Sequence, residues 1–170
     1  MTVAPERVRW AVEVLAPGPT DRILEIGGGS GVAAGLVCQQ LTTGRLLVVD
    51  RSAVATERTR RRNAEHLETG RLEVRTVALA ELDVPAGSLD AAFSVNVNLF
   101  WTRTPTRELA VLDAALRPGG ALHVCFGAGG PQTADRVTAP IARALREHGF
   151  TDVRVRSGGS GIAVSGRTPG

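Results

Sequence analysis

The sequence predicts an α/β protein of three layers, α/β/α, with a seven-stranded, mostly parallel sheet whose last strand runs antiparallel. Three observations carry this expectation. Short runs rich in β-branched residues alternate with longer helical stretches, the pattern of a parallel sheet covered by helices on both faces. A glycine-rich turn, Gly27 to Gly31, joins the first such run directly to a helix. Near the end, Ser157-Gly158-Gly159-Ser160 links two strand-like runs, a connection too short for a crossover and suited to a hairpin.

The first helix is expected from Pro5 to about Leu15, where Pro17-Gly18-Pro19 prevents its continuation. Arg22 to Ile26 reads as strand one, followed beyond the glycines by a helix to about Leu41. Arg45 to Val49 is strand two and ends at Asp50. Ser52 can accept a hydrogen bond from a free helix N–H, so it caps a helix running to about Thr69 and stopping at Gly70. Arg71 to Val77 is strand three, with a short turn or helix near Ala80, and Leu89 to Val95 is strand four. Thr104-Pro105 is the N-cap and N1 pairing that opens a helix, here to Leu116. Pro118-Gly119-Gly120 then turns into strand five, Ala121 to Phe126. A helix from about Thr133 to His148, stopped by Gly149, precedes the closing strands Thr151 to Arg156 and Gly161 to Gly166.

The 170 residues fit one domain, 1–170, with residues 1–18 as a short N-terminal cap helix. A hydrophobic share of 43% beside 22% charged residues is ordinary for a globular chain, so a core needs neither disulfides nor metals. All 20 basic residues are arginine, and against 17 acidic ones they leave a net charge of +3. That is too small for the basic footprint of a nucleic-acid binder. The densest cluster, Arg58-Thr59-Arg60-Arg61-Arg62, is expected to be a solvated helix face pairing with Glu57 and Glu65. Cys38 and Cys125 sit in apolar contexts away from any Cys/His cluster, which predicts buried free thiols in a reducing compartment and no metal site. The stretch MTVAPERVRWAVEVL has no apolar signal core, and no run approaches the roughly 18 apolar residues of a membrane span. A cytoplasmic protein with no membrane partner is expected.

The segment ILEIGGGSG, Ile23 to Gly31, carries the strongest local signal. Glycines permit positive φ and close approach of a ligand to the backbone, and the helix start offers free N–H groups to an anionic group. The dinucleotide fingerprint GxGxxG begun at Gly27 requires glycine where Val32 stands; begun at Gly29, it reaches Ala34 and fits only a relaxed form. The sequence instead reads Glu25-x-Gly27-x-Gly29-x-Gly31, with Asp50 at the end of strand two. A nucleotide-binding loop of another kind remains an alternative for the glycines taken alone.

This pattern resembles motif I of the class I S-adenosylmethionine-dependent methyltransferases, and the resemblance covers nearly the whole chain. Val48-Val49-Asp50 falls where that family places its acidic residue, about 20 residues beyond the glycines, to bind both ribose hydroxyls. Gly87 to Asn96 resembles the family's strand-four motif, Leu116 to Gly120 the turn before strand five, and Gly149 to Val155 its sixth strand. The resemblance implies a Rossmann-like fold and S-adenosyl-L-methionine as cofactor with S-adenosyl-L-homocysteine as product; no metal is expected, since no acidic cluster stands at metal-ligand spacing. It implies that Gly27, Gly28 and Gly29, with Gly31, pass their backbone against the cofactor's methionine part while Glu25 helps hold the turn. It assigns Asp50 to the ribose, Arg51 to the side of the adenine, and Asn96 to the cofactor. The family often has an aspartate after strand three on the adenine amino group; here Ala78 stands there, leaving the Leu79 N–H to serve the ring.

For the methyl acceptor, the loop after strand four, SVNVNLFW, is the place indicated. Asn98 offers hydrogen bonds, and Phe100 and Trp101 are either flat walls for a cationic sulfonium or packing for the next helix. The absence of prolines in this loop disfavours adenine or glutamine amide methylation, and no proline precedes Cys125 as in the cytosine-C5 type. Trp10, on the first helix, is either a lid residue or core packing. His66 is read as exposed, His148 as a helix C-terminal residue and His123 as a core histidine with a satisfied ring, so no general base is named. A small-molecule methyl acceptor is the expected partner, and the short cap leaves an open pocket or one completed in a homodimer. The alternatives are a methyltransferase-like protein that binds the cofactor without transfer, and a nicotinamide-dependent oxidoreductase.

Overall fold

The computed structural model describes residues 3–127 and 131–170, so the first two residues of the expected 1–18 segment lie outside the described residues. The strands are β1 (Arg22–Ile26), β2 (Arg45–Asp50), β3 (Leu72–Thr76), β4 (Leu89–Val95), β5 (Leu116–Gly127), β6 (Thr151–Ser157) and β7 (Gly161–Arg167). They lie in the order β3-β2-β1-β4-β5-β7-β6. The strands β1 to β5 pair in parallel, and β7 runs antiparallel to both β5 and β6, as the short Ser157–Ser160 link requires. The central strands β1, β2 and β4 are almost continuously apolar because helices cover both faces.

One face carries Leu24, Ile26, Leu47, Val49, Leu122 and Val124, packed under residues of α5 (Leu99–Thr102), α6 (Thr106–Ala115) and α7 (Pro131–Glu147). The other carries Ile23, Leu46, Val48, Ala91 and Phe93, packed under α1 (Glu6–Leu15) and α2 (Val32–Gln40). Alternation along each strand sends neighbouring residues to opposite layers, so Ile23 and Leu24 belong to different cores. Both cysteines are buried and free.

Three expectations are corrected, and one helical turn is added to them. The helix expected from Ser52 to Thr69 is two, α3 (Ala53–Arg62) and α4 (Ala64–Glu68), because Asn63 leaves the helical conformation at φ −119° and ψ 33°. Its expected cap is present: Ser52 Oγ accepts from Ala55 N at 3.2 Å. Strand five begins at Leu116, not Ala121, since the chain keeps its pairing past Pro118-Gly119-Gly120 and absorbs the kink at Gly119, φ +74°, as a register shift against β4. The helix expected from Thr104-Pro105 starts one position later, with Pro105 as the N-cap residue and its carbonyl accepting from Leu109 N. Between β4 and α6 the loop contains one helical turn, α5, because Asn98 O accepts from Trp101 N, Thr102 N and Thr102 Oγ1.

The arginine cluster is not simply solvated. Arg61 pairs with Glu57 at 2.9 Å, but Arg60 donates to Val74 O and Arg62 to Ser30 O; no ion pair to Glu65 forms among the described residues. Among the described residues no helix is long and apolar enough to cross a membrane.

His123, in the middle of β5, bonds through Nδ1 to Ser165 Oγ at 2.7 Å, and burial followed by the charges of Arg156 and Arg167 pushes it down to about 4. The unfolded chain therefore takes up this proton at a higher pH than the folded one, so the neutral ring favours folding above about 6.5 and that contribution is lost toward 4. In thermal melts across that window the His123→Asn variant, which keeps a hydrogen-bonding group but cannot titrate, should lose less melting temperature than wild type. Parallel losses in the two proteins would exclude His123 as the cause.

Candidate functional site

From β1 the chain winds through β2 to β3, and from β4 it winds the other way to β5, so the crossovers diverge between β1 and β4. The carboxyl ends of two such strands leave a crevice, the place where open α/β sheets bind ligands. A cavity of about 880 Å³ opens there. Its walls come from Ile26, Gly27 and Gly29 after β1, Val49 to Arg51 at the end of β2, and Val77 to Glu81 after β3. Val95 to Leu99 after β4, and Thr102, Arg103, Arg107 and Glu108 from α5 and α6, complete it.

The glycines divide by task. Gly27 turns the chain at φ +73°, where a Cβ would also press on Val97, and its N–H donates to Val49 O at 2.8 Å. Gly29, at φ +55°, has nothing within 4 Å of where a Cβ would be, and it lines the cavity. Gly28 and Gly31 do not line it. A Cβ on Gly28 would run into Val48 and stand 3.2 Å from Thr59 Oγ1; one on Gly31 would stand 2.9 Å from Thr59 Cα and from Asn63 Nδ2. Glycine is required at these two positions whether or not a ligand binds: Gly28 is crowded by Val48 of β2 and Thr59 of α3, and Gly31, at φ +81°, by Thr59 and Asn63.

Asp50 lies at the cavity wall with its Oδ1 accepting from Ser52 N at 2.9 Å and its Oδ2 3.4 Å from Gly29 N. Both bonds come from backbone N–H groups, which fixes the carboxylate while leaving it lone pairs for a diol. Arg51, Ala78 and Leu79 line the same wall. Leu79 opens a single 3₁₀ turn, Leu79–Glu81, and its N–H takes no part in that turn's bonds. Asn96 and Asn98 line the opposite wall. Asn96 adopts φ +57°, its N–H donates to Cys125 O, and its Oδ1 accepts from Gly127 N at 2.8 Å, tying the ends of β4 and β5 together.

Glu25 is not in the cavity. It is 2% exposed, and Oε1 has no hydrogen-bond partner. The turn is held by the backbone bonds Gly27 N to Val49 O and Gly31 N to Gly28 O, so a direct hydrogen bond from Glu25 Oε1 is not what holds it. Burial first, and the charge of Asp50 second, raise the Glu25 carboxyl from 4.5 to about 8.

Three expected acceptor residues are withdrawn from the cavity. Phe100 is 1% exposed inside the core of the α5–α7 face, and Trp101 packs against the same core with Nε1 buried and unpartnered. The short α5 turn rotates both away from the crevice. Trp10 packs on Gly158 and Gly161 beside Ala163 and Cys125, under the β6–β7 hairpin, and does not form a lid. Conversely, the Arg103–Glu108 pair, 2.6 Å long with Glu108 buried, walls the cavity and was not anticipated. Its signal was a carboxylate, Glu108, on the same buried helix face as Leu109 and Leu112. Among the described residues no group of three His, Cys, Asp or Glu could hold a metal ion.

A family model described as a methyltransferase domain matches residues 23–120, more than half of the chain. The chain belongs to this methyltransferase domain family. The methyltransferase fold is also found in solved structures. An S-adenosylmethionine-dependent O-methyltransferase from Thermotoga maritima superposes with a TM-score of 0.78 at 14% identity, over 100% of this chain and 67% of its own. One described as an S-adenosylmethionine-dependent methyltransferase from Aquifex aeolicus gives 0.76 at 16%, over 98% and 99%. A geranyl diphosphate methyltransferase in complex with S-adenosylmethionine gives 0.73 at 14%, over 95% and 84%. A sequence search of curated proteins finds no match.

Because the Glu25 carboxyl is raised from 4.5 to about 8, the folded methyltransferase domain holds this proton more tightly than the unfolded chain. The contribution of this group to stability is then largest below 4.5 and declines as pH rises toward 8. Glu25→Gln, of similar volume and without a charge, should gain melting temperature relative to wild type across that interval. A pH-independent difference between the two would show that Glu25 ionises normally.

Proposed function

We propose that this cavity binds S-adenosylmethionine and that the protein transfers its methyl group to a small-molecule acceptor. The observation that carries the reading is the Asp50 carboxylate, held by two N–H groups at the β1/β4 crevice and facing the same cavity as the ligand-accessible Gly29. The residues fit the cofactor. Asp50 can accept from both ribose hydroxyls, Gly27 and Gly29 leave the methionine part access to backbone, and Val49, Val77, Leu79 and Leu99 give a flat ring apolar walls. The Leu79 N–H can donate to a ring nitrogen of the adenine, whereas Ala78 offers no acceptor for its amino group.

When bound, the cofactor supplies an activated methyl group on a cationic sulfonium. The protein's part is to align the acceptor, keep water out and leave the displacement path open. Val95, Asn96, Val97 and Asn98 form the wall at the end of β4, and Asn96 is held rigidly by its bond to Gly127. No histidine lines the cavity; of its three carboxylates Asp50 is engaged by the loop and Glu108 by Arg103, while Glu81 is exposed at the end of the turn after β3. A volume of about 880 Å³ lies within the ~300–1,000 Å³ of small-molecule sites, which supports a metabolite over a macromolecule.

Calorimetric titration with S-adenosylhomocysteine, with NAD in parallel, tests the cofactor. Binding of the first alone is expected, and Asp50→Ala should weaken it by about 1–3 kcal/mol, as for lost hydrogen bonds to a charged group. An unchanged affinity would remove Asp50 from the site. Turnover with a panel of small acceptors separates transfer from binding alone.

A further inference from the structure

We propose that Arg62 and Asn63, at the break between α3 and α4, are positioning residues that set the peptide planes of the glycine turn for the cofactor; this rests on the reading of the cavity given above. Arg62 Nε donates to Ser30 O at 2.9 Å, and Asn63 Nδ2 donates to Gly31 O at 2.9 Å and to Thr59 O at 3.0 Å. The two loop carbonyls belong to consecutive residues and follow directly on Gly29, whose backbone lines the cavity.

This hold adds to the backbone bonds Gly27 N to Val49 O, Gly31 N to Gly28 O and Gly35 N to Gly31 O. Gly27, Gly29 and Gly31 all have positive φ, and α2 has no side-chain cap at its Gly31 N-cap. Four glycines in five residues carry the largest conformational freedom a chain can have. A trans peptide directs its C=O and N–H to opposite sides, so fixing Gly31 O toward α3 turns the Val32 N–H away from α3 at the start of α2. Ser30 O is fixed in the same way. The grip thus acts on the peptide groups themselves and not only on where the turn sits.

The helix break has no other cause in the sequence. Arg61-Arg62-Asn63-Ala64-Glu65 contains neither proline nor glycine, and Asn63 is 4% exposed with both Nδ2 bonds directed to carbonyls. A continuous helix would carry Asn63 past Gly31. The departure at φ −119° places it within reach, and Gly28, Gly31 and Gly35 leave the space: Cβ atoms there would approach Thr59 Oγ1, Asn63 Nδ2 and Asn63 Oδ1 at 3.2, 2.9 and 3.0 Å.

The test uses the full chain and three variants. Arg62→Ala removes a solvent-exposed grip, Asn63→Asp keeps the size but not the donor, and Arg61→Ala, which pairs only with Glu57, is the control. Hydrogen exchange of the ligand-free protein should be faster over residues 29–35 in R62A and N63D than in wild type or R61A. The S-adenosylhomocysteine Kd should rise roughly three- to tenfold in R62A, at an unchanged melting temperature. Exchange and affinity equal to wild type in both R62A and N63D would overturn the proposal. Should wild type fail to bind S-adenosylhomocysteine, the cofactor reading falls, while the exchange comparison still decides whether these residues hold the turn.

Discussion

Between Val48 on β2 and Thr59 on α3 there is space for a main chain and no side chain, and Gly28 fills it. Much of the site follows from that close approach. It lets α3 lie against the turn after β1, which brings Arg62 and Asn63 to the Ser30 and Gly31 carbonyls. It sets where α2 begins, and it brings the Gly29 N–H toward Asp50. Packed interiors respond to added volume by forcing side chains off their rotamers or shifting backbone. A single methyl at Gly28 would therefore push on the strand that carries Asp50 and on the helix that holds the turn together.

Charge is distributed around the cavity by the same economy of contacts. The Asp50 carboxylate is met by backbone N–H groups and keeps capacity for a ligand, while Glu108 is closed off by Arg103. Glu25, one strand over, has neither arrangement and responds by holding its proton. Two carboxylates near the same turn thus behave differently: one remains an acceptor at the surface of the crevice, the other is neutralised by burial and by its neighbour's charge.

The seven strands, their order of appearance and the antiparallel end were legible in the sequence because they rest on short-range signals: apolar runs, glycine and proline stops, and a link too short to cross over. The position of Asp50, Gly29 and Leu79 at the carboxyl ends of their strands, on one cavity wall, was legible for a related reason, since turns and strand ends carry their own short-range signals. What could not be read depends on contacts between distant segments. The crowding that requires glycine at 28 and 31 comes from Val48 of β2 and from α3, some twenty and thirty residues on in the chain. Asn63 ends a helix through a hydrogen bond to Gly31, although RRNAE reads as continuous helix. Phe100 and Trp101 had two readings, and one turn of helix closed by the Asn98 carbonyl selected packing over a ligand wall. Trp10 likewise found its partners in Gly158 and Gly161, near the other end of the chain.

That last contact bears on how the protein is made. The indole of Trp10 rests on the β6–β7 hairpin, and Ala11 and Val14 of the same helix share a cluster with Ala163 on β7. During synthesis at ~5–20 residues per second, the first helix waits many seconds before its docking surface leaves the ribosome. Until then its apolar stripe is available to other partners. A chain stalled or truncated before the hairpin would expose Trp10 along with the open edge of β5, which makes such fragments natural clients for chaperones and prone to associate with one another.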